Sequence, residues 1–390
     1  MMHALKKVIL NHAYFSTYLL VYGLIQIGLI HESGRTYALP LFFLFFVPFV
    51  CLYVISFRQF KNIALPTLPQ KNLSPYLLIF SGLTIVLHLY FLKQIPFVEA
   101  WQSMRLSEAN QLRKAIGANS PRWMTYMSTW TIRCMLPFSL VYFAHQKAYK
   151  KVIVIGIVAA FYALCLLQKS LILWIGFPLL IYSLLQRRVG AAALSFGAMC
   201  LVFGLSLVAN NPQLHGGIND LNTDKPAKST SHQVSEGLAQ RIAIIPGKMV
   251  SEWFKHVPKD KPYLWGTDMN LYCKISQQKQ HDYALELYPV FYPEYAKKGI
   301  QGSVNVAHFM RGYANFGYLG LFISAAFLAL FLVFINKVQV VSDAKMAFSL
   351  QLFPIFLLSS GSLLTLLMSG GWSLIVLLLV LNKPTEIVHE

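Results

Sequence analysis

A chain of 390 residues that is 56% hydrophobic and only 12% charged, with a mean hydropathy of +0.52, is not an ordinary soluble domain. Soluble domains carry roughly a quarter charged residues, about twice this share. The formal net charge of +18 invites a nucleic-acid reading, but no basic, aromatic-interleaved soluble module is present to use it. Anionic lipid headgroups and lipid phosphates are the better-matched counter-charges, with no nucleic-acid partner expected.

Repeated apolar runs close to bilayer length make the fold class an all-α polytopic membrane protein with about ten transmembrane helices. The predicted spans are 12–30, 37–56, 75–92, 123–144, 152–167, 170–185, 189–209, 314–335, 346–360 and 363–382. After Lys6 and Lys7 the first apolar run is too long for a cleaved signal peptide and lacks a small-residue cleavage site, so it reads as a signal anchor. With the amino terminus in the cytoplasm, the short inner segments collect Arg58, Lys61, Lys71, Lys147, Lys150, Lys151, Arg187, Arg188, Lys337, Lys345 and Lys383. That bias is the one short cytoplasmic loops carry. Both termini are then cytoplasmic, and the organisation is 1–209 with the first seven spans, a large outward loop at 210–304, and 305–390 with the last three spans and a short tail.

Along the chain, the outer segment 93–122 carries Lys93, Arg105, Arg113, Lys114 and Arg122 against Glu99 and Glu108. Phe97, Trp101 and Met104 recur at helical spacing there, so part of it is expected to lie flat on the membrane surface. Arg105 reads either as a solvated charge of that helix or as a group facing an active cavity. Arg133 falls inside the fourth span, where an arginine is costly unless it pairs, snorkels or meets a polar cavity or phosphate; both the structural and the functional reading stay open. Lys169, in the tight turn Gln168 to Ser170, reads first as a snorkelling interface residue.

The loop 210–304 holds nine of the fifteen acidic residues and divides in two. Asn210 to Gln233, rich in Pro, Gly, Asn, Asp, Ser and Thr, is expected to be mobile. From Ser235 onward aromatics return (Trp253, Phe254, Tyr263, Trp265, Tyr272, Tyr283, Tyr288), and this half is expected to fold as short helices. Ser235 is placed to cap a helix through Arg241, which Pro246 and Gly247 would kink or end.

No pair of cysteines is spaced for a metal or for a disulfide within the loop: Cys51, Cys134, Cys165 and Cys200 lie in apolar runs and Cys273 stands alone. Every Asp and Glu lies outside the predicted spans, which weighs against ion-coupled transport, because a coupling ion needs a ligand in the membrane. There is no Asp-x-Asp, no His-Glu-x-x-His and no Gly-x-Ser-x-Gly, so neither a metal, a cofactor nor a nucleophilic triad is expected. What remains is cationic. Arg105, Arg241 and Arg311, with Arg133 and Lys169, are candidates to converge at the outer leaflet, where guanidinium forks suit phosphate oxygens. A fitting reaction is displacement at a sugar carbon whose leaving group is a lipid diphosphate: charge growing on that group is stabilised, and a base takes a proton from the attacking hydroxyl. His308, at the point where the outer segment turns apolar, is nominated for the base, with a purely structural histidine as the other reading. The catalytic candidates are thus His308, Arg241 and Arg311, and the diphosphate-binding ones Arg105, Arg133 and Lys169.

The run Arg241 to Phe254 (RIAIIPGKMVSEWF), the segment Asn305 to His308 (NVAH) with Tyr313 to Gly320 (YANFGYLG), Ile95 and Pro96 followed by Arg105, and Leu167 to Ser170 (LQKS) together resemble the Wzy-type O-antigen polymerases, the oligosaccharide repeat unit polymerases. The resemblance implies a metal-independent glycosyltransferase of the membrane-embedded C type in a bacterial inner membrane, with the large, partly helical loop in the periplasm. It implies an undecaprenyl-diphosphate-linked oligosaccharide as substrate, membrane lipids around it and a chain-length regulator as a possible protein partner. Functional arginines in the outer loops of that family map onto Arg241 and, less directly, Arg105. Gly247 after Arg241, and Gly317 and Gly320 after His308, depart from the spacing of the family's loop motifs. The neighbouring readings are an O-antigen ligase, which would attach finished glycan to lipid A core without extending it, a lipid-linked oligosaccharide flippase, and a non-catalytic scaffold.

Overall fold

The computed structural model describes residues 12–60, 73–105, 108, 111–112, 115–116, 120–211, 214, 240–297 and 302–382; for Arg241, Ala243, Leu271 and Tyr295 only the backbone is described. Beyond Asn211 and Leu214, the stretch expected to be mobile falls outside these residues. So do the cap expected at Ser235 and the cations Lys6, Lys7, Lys61, Lys71, Arg113, Lys114 and Lys383. Among the described residues the regular structure is all helical.

Among the described residues five helices are long and apolar enough to cross a membrane: α1 (Ala13–Ser33), α2 (Arg35–Gln59), α3 (Ser74–Leu92) and, later in the chain, Val189–Ala209 and His308–Val341. Between them run α4 (Arg122–Trp130), α5 (Leu136–His145), α6 (Tyr149–Cys165), α7 (Lys169–Leu185) and α8, the Val189–Ala209 helix. In the 210–304 stretch the longest described helix is α9 (Ile245–His256); α10 is His308–Val341, followed by α11 (Ala344–Leu357) and α12 (Trp372–Leu381). The environment shows in the exposure: Leu194, Phe196 and Leu201 of α8 are each more than half exposed, as are Ile79, Leu83 and Val86 of α3. Contiguous apolar surface of that kind is stable in hydrocarbon and unfavourable in water.

Among the described residues three turns widen to π geometry, Phe42–Phe46, Thr131–Met135 and Gln240–Ile244, and each ends two residues before a proline, Pro48, Pro137 and Pro246. A proline ring clashes with the carbonyl four residues back and has no N–H to offer it; widening the turn relieves both. Pro246 therefore begins α9 rather than ending it. The helix runs on to His256, with Met249, Val250, Trp253 and Phe254 on its buried face.

Two compact units are assembled from separate stretches of chain. The first comprises Met1–Ala64, Lys225–Lys337 and Pro354–Thr365. Its core is aromatic: Tyr18 meets Phe49 edge-on at 5.0 Å, Phe45 packs on Phe309 at 4.6 Å, and Phe254 meets Tyr313 at 4.5 Å. A Cβ on Gly247 would land on the backbone of Gly28 and Leu29, so α9 crosses α1 closer than any other residue would permit. One buried polar cluster inside this unit joins three helices' worth of sequence: the Tyr53 hydroxyl bonds Asn336 Nδ2 at 2.9 Å and His12 Nδ1 at 2.9 Å.

The second unit comprises Leu65–Asp224, Val338–Phe353 and Leu366–Glu390. Its buried polar chain runs from His88 Nδ1 to the Tyr162 hydroxyl (2.7 Å), which donates to Ser128 Oγ (2.6 Å). The Trp130 indole N–H donates to the Met368 carbonyl at 3.0 Å.

Candidate functional site

The feature that builds the site is a break in α10. Phe316 (φ −132°, ψ 19°) and Gly317 (φ 59°, ψ −141°) leave helical geometry and split the element into limbs 308–315 and 318–341. Only glycine adopts the Gly317 conformation without strain. The limbs fold back on each other: a Cβ on Gly320 would overlap the Gly312 carbonyl, and one on Gly312 would meet the Gly320 carbonyl and Ser324 Oγ. Two glycines at the crossing are what allow backbone to touch backbone. The span expected over 314–335 is thus interrupted near its start.

A break leaves helical carbonyls without partners, and the 264–266 turn supplies them. Leu264 N donates to the Ala314 carbonyl (2.8 Å) and Trp265 N to the Asn315 carbonyl (3.2 Å). Gly266 N donates to Asn315 Oδ1 (2.7 Å), while Asn315 Nδ2 donates to the Arg311 carbonyl (2.8 Å). The turn 264–269 is thereby fastened to the end of the first limb, and this delivers Asp268 beside Arg311.

The crook of the two limbs holds a cavity of about 310 Å³. Its lining combines polar groups, Asp268, Arg311, Asn315 and the backbone of Gly312, with the apolar side chains Ile323, Phe327, Leu363 and Leu364. Arg311 lies 3.8 Å from Asp268 Oδ2 and 3.8 Å from Asp282 Oδ1. Both contacts are beyond hydrogen-bond range, so neither acid closes the guanidinium fork. Burial raises the Asp268 carboxyl above its ordinary value, against the smaller opposing pull of Asn315 and Arg311. Asp268 Oδ1 is buried without a hydrogen-bond partner. At the rim, Trp265 is 64% exposed, with its ring 5.9 Å from that of Phe316.

His308 also lines the cavity but is 5% exposed. Its Nε2 is hydrogen-bonded to the Tyr18 hydroxyl at 2.8 Å, its ring stands among Tyr18, Phe45 and Phe309, and its backbone N–H donates to the Leu358 carbonyl. Of the sequence candidates, then, His308 and Arg311 share one cavity. Arg241 is in the same unit, in the π turn before α9, where its side chain is not described. Arg105, Arg133 and Lys169 belong to the second unit. There Arg105 is exposed and Lys169 opens α7 half-buried. Arg133, in the π turn before α5, stacks its guanidinium over the Trp174 ring at 5.2 Å and leaves its buried Nε without a hydrogen bond.

Asp268, Asp282, Asn315 and Tyr18 were not among the sequence candidates. Asn315 had one local signal, its position four residues after Arg311 on the same helical face; the other three reach the site through tertiary contacts. Among the described residues no group of three or more His, Cys, Asp and Glu side chains is arranged to hold a metal. Comparison with known proteins finds no matching family model, no matching curated protein and no matching solved structure.

Proposed function

We propose that the protein extends a surface polysaccharide by glycosyl transfer, moving glycan from a polyprenyl-diphosphate carrier onto a sugar hydroxyl of another lipid-linked unit. The observation that carries this reading is the mixed lining of the α10 cavity: an arginine with an unclosed fork in one wall together with Ile323, Phe327, Leu363 and Leu364. A lipid-linked diphosphate has that same mixture, a hydrocarbon chain next to a compact multiple anion. Arg311 is the group suited to the charge that grows on the departing diphosphate, because a guanidinium stays ionised and bonds two oxygens at once. Trp265 at the rim offers a flat face for a sugar ring.

In the same reading the ten predicted spans cross a bacterial inner membrane, both termini are cytoplasmic, and the 210–304 loop with its Asp268 turn is periplasmic. Arg241 joins Arg311 at the diphosphate, and Arg105, Arg133 and Lys169 serve the lipid phosphate in the second unit. The test is purified protein in lipid vesicles given a lipid-diphosphate-linked oligosaccharide. Products longer by whole repeat units are expected. Transfer to lipid A core without extension would make it a ligase, and no product at all would end the enzyme reading.

A further inference from the structure

The geometry points to Asp268 as the base that removes the proton from the attacking sugar hydroxyl, a role resting on the glycosyl-transfer reading above. Asp268 lines the Arg311 cavity with 11% of the side chain exposed, and its Oδ1 is buried without a hydrogen-bond partner among the described residues. A buried acceptor left unpaired is costly, on the order of 1–3 kcal/mol. No bond to that oxygen ties the carboxylate to another role, and the acceptor hydroxyl meets the part of the side chain that stays exposed to the cavity.

The two other titratable groups around the cavity are already employed. His308 is buried, and the Tyr18 hydroxyl occupies its Nε2. Asp282 Oδ1 accepts the Ala284 N–H at 3.0 Å, capping the short helix Tyr283–Glu286. Asp268 makes no such cap; its turn is instead fastened through Leu264, Trp265 and Gly266 to Ala314 and Asn315, so the carboxylate is held on rigid supports. Burial also makes its ionised form a stronger base than an exposed aspartate.

The step balances as a displacement. The acceptor hydroxyl oxygen bonds to the anomeric carbon, and the bond from that carbon to the diphosphate oxygen breaks, its electron pair leaving on the diphosphate beside Arg311. The hydroxyl proton passes to Asp268, which returns it to water before the next cycle.

The experiment uses the full-length protein in vesicles with a lipid-diphosphate-linked trisaccharide, comparing wild type, Asp268→Asn and Asp268→Ala. Asn keeps the shape and cannot take the proton. Expected for Asp268→Asn are a transfer rate lower by about 100- to 10,000-fold, donor affinity within threefold of wild type, and loss of the acidic limb of the pH–rate profile. Azide carries no proton to remove, so it is expected to restore donor consumption by Asp268→Ala and to yield the glycosyl azide. If Asp268→Asn extends glycan within threefold of a working wild type, loses donor binding in step with its rate, or if azide restores nothing, Asp268 is structural and the assignment falls alone. A wild type that extends nothing instead sinks the transferase reading, and this assignment with it.

Discussion

The Arg311 guanidinium stands 3.8 Å from the Asp268 carboxylate, near enough to feel its charge and too far to share a hydrogen bond. An arginine so placed is oriented but not consumed. Replacing Arg311 with Ala is therefore expected to abolish chain extension while the protein still inserts in the membrane, and Arg311→Lys to recover little of it, because a point charge does not reproduce the fork. Arg241→Ala is expected to behave likewise. Product ladders from reconstituted variants at matched protein level check this, and long glycan from both Ala variants would remove the cationic site.

The fold-back of α10 has a sharp stability signature. Gly317→Ala is expected to destabilise by about 1–2 kcal/mol, since Ala is strained at φ 59° and its Cβ would sit 3.0 Å from the Tyr263 hydroxyl. Gly320→Ala is expected to cost more, because backbone rather than a side-chain tip blocks the new Cβ. Gly82→Ala on α3, where the Cβ meets nothing within 4 Å, is the control and is expected to be neutral or stabilising. Thermal unfolding in one detergent ranks the three, and equal melting temperatures would refute the crossing.

The bond between Tyr18 and His308 joins α1 to the start of α10. Tyr18→Phe leaves a buried imidazole nitrogen unpaired and is expected to cost about 1–3 kcal/mol. In a His308→Leu background the same change is expected to cost much less, which a double-mutant cycle measures directly. His308→Gln is expected to lower turnover strongly through the shape of the cavity floor; unchanged turnover would show that the ring serves packing alone.

Two acids of the 210–304 loop bend stability with pH in opposite senses. Burial raises the Asp268 carboxyl above its unfolded value of about 3.9, so its contribution is best below that value and is lost as pH rises through the folded one. For Glu286 burial pulls upward, but Lys261 at 2.8 Å and His281 at 2.9 Å win and hold the carboxyl low. Its contribution is present above an unfolded value of about 4.3 and is lost as pH falls through the folded one. Melting curves from about pH 3 to about pH 8, a window that spans both unfolded values, are expected to show Asp268→Asn flattening the loss at higher pH. Glu286→Gln is expected to flatten the loss at lower pH, and identical curves for all three proteins would contradict both shifts.

The apolar runs by themselves marked where the long helices lie, because hydrocarbon-length stretches of Leu, Ile, Phe and Val have few other stable forms: Ala13–Ser33, Ser74–Leu92 and Val189–Ala209 fall where those runs do. They also carried His308 and Arg311 as one pair, three residues apart on a helix. Nothing local marked Asp268, more than forty residues before Arg311 in an unremarkable loop. Its place depends on loop N–H groups satisfying the carbonyls that the break at Gly317 set free. Arg133 and Arg311 look alike in the sequence, each an arginine beside apolar residues. Only packing put one over the Trp174 ring and left the other facing a cavity, because a guanidinium's role depends on what stands opposite it, and that is decided by distant parts of the chain.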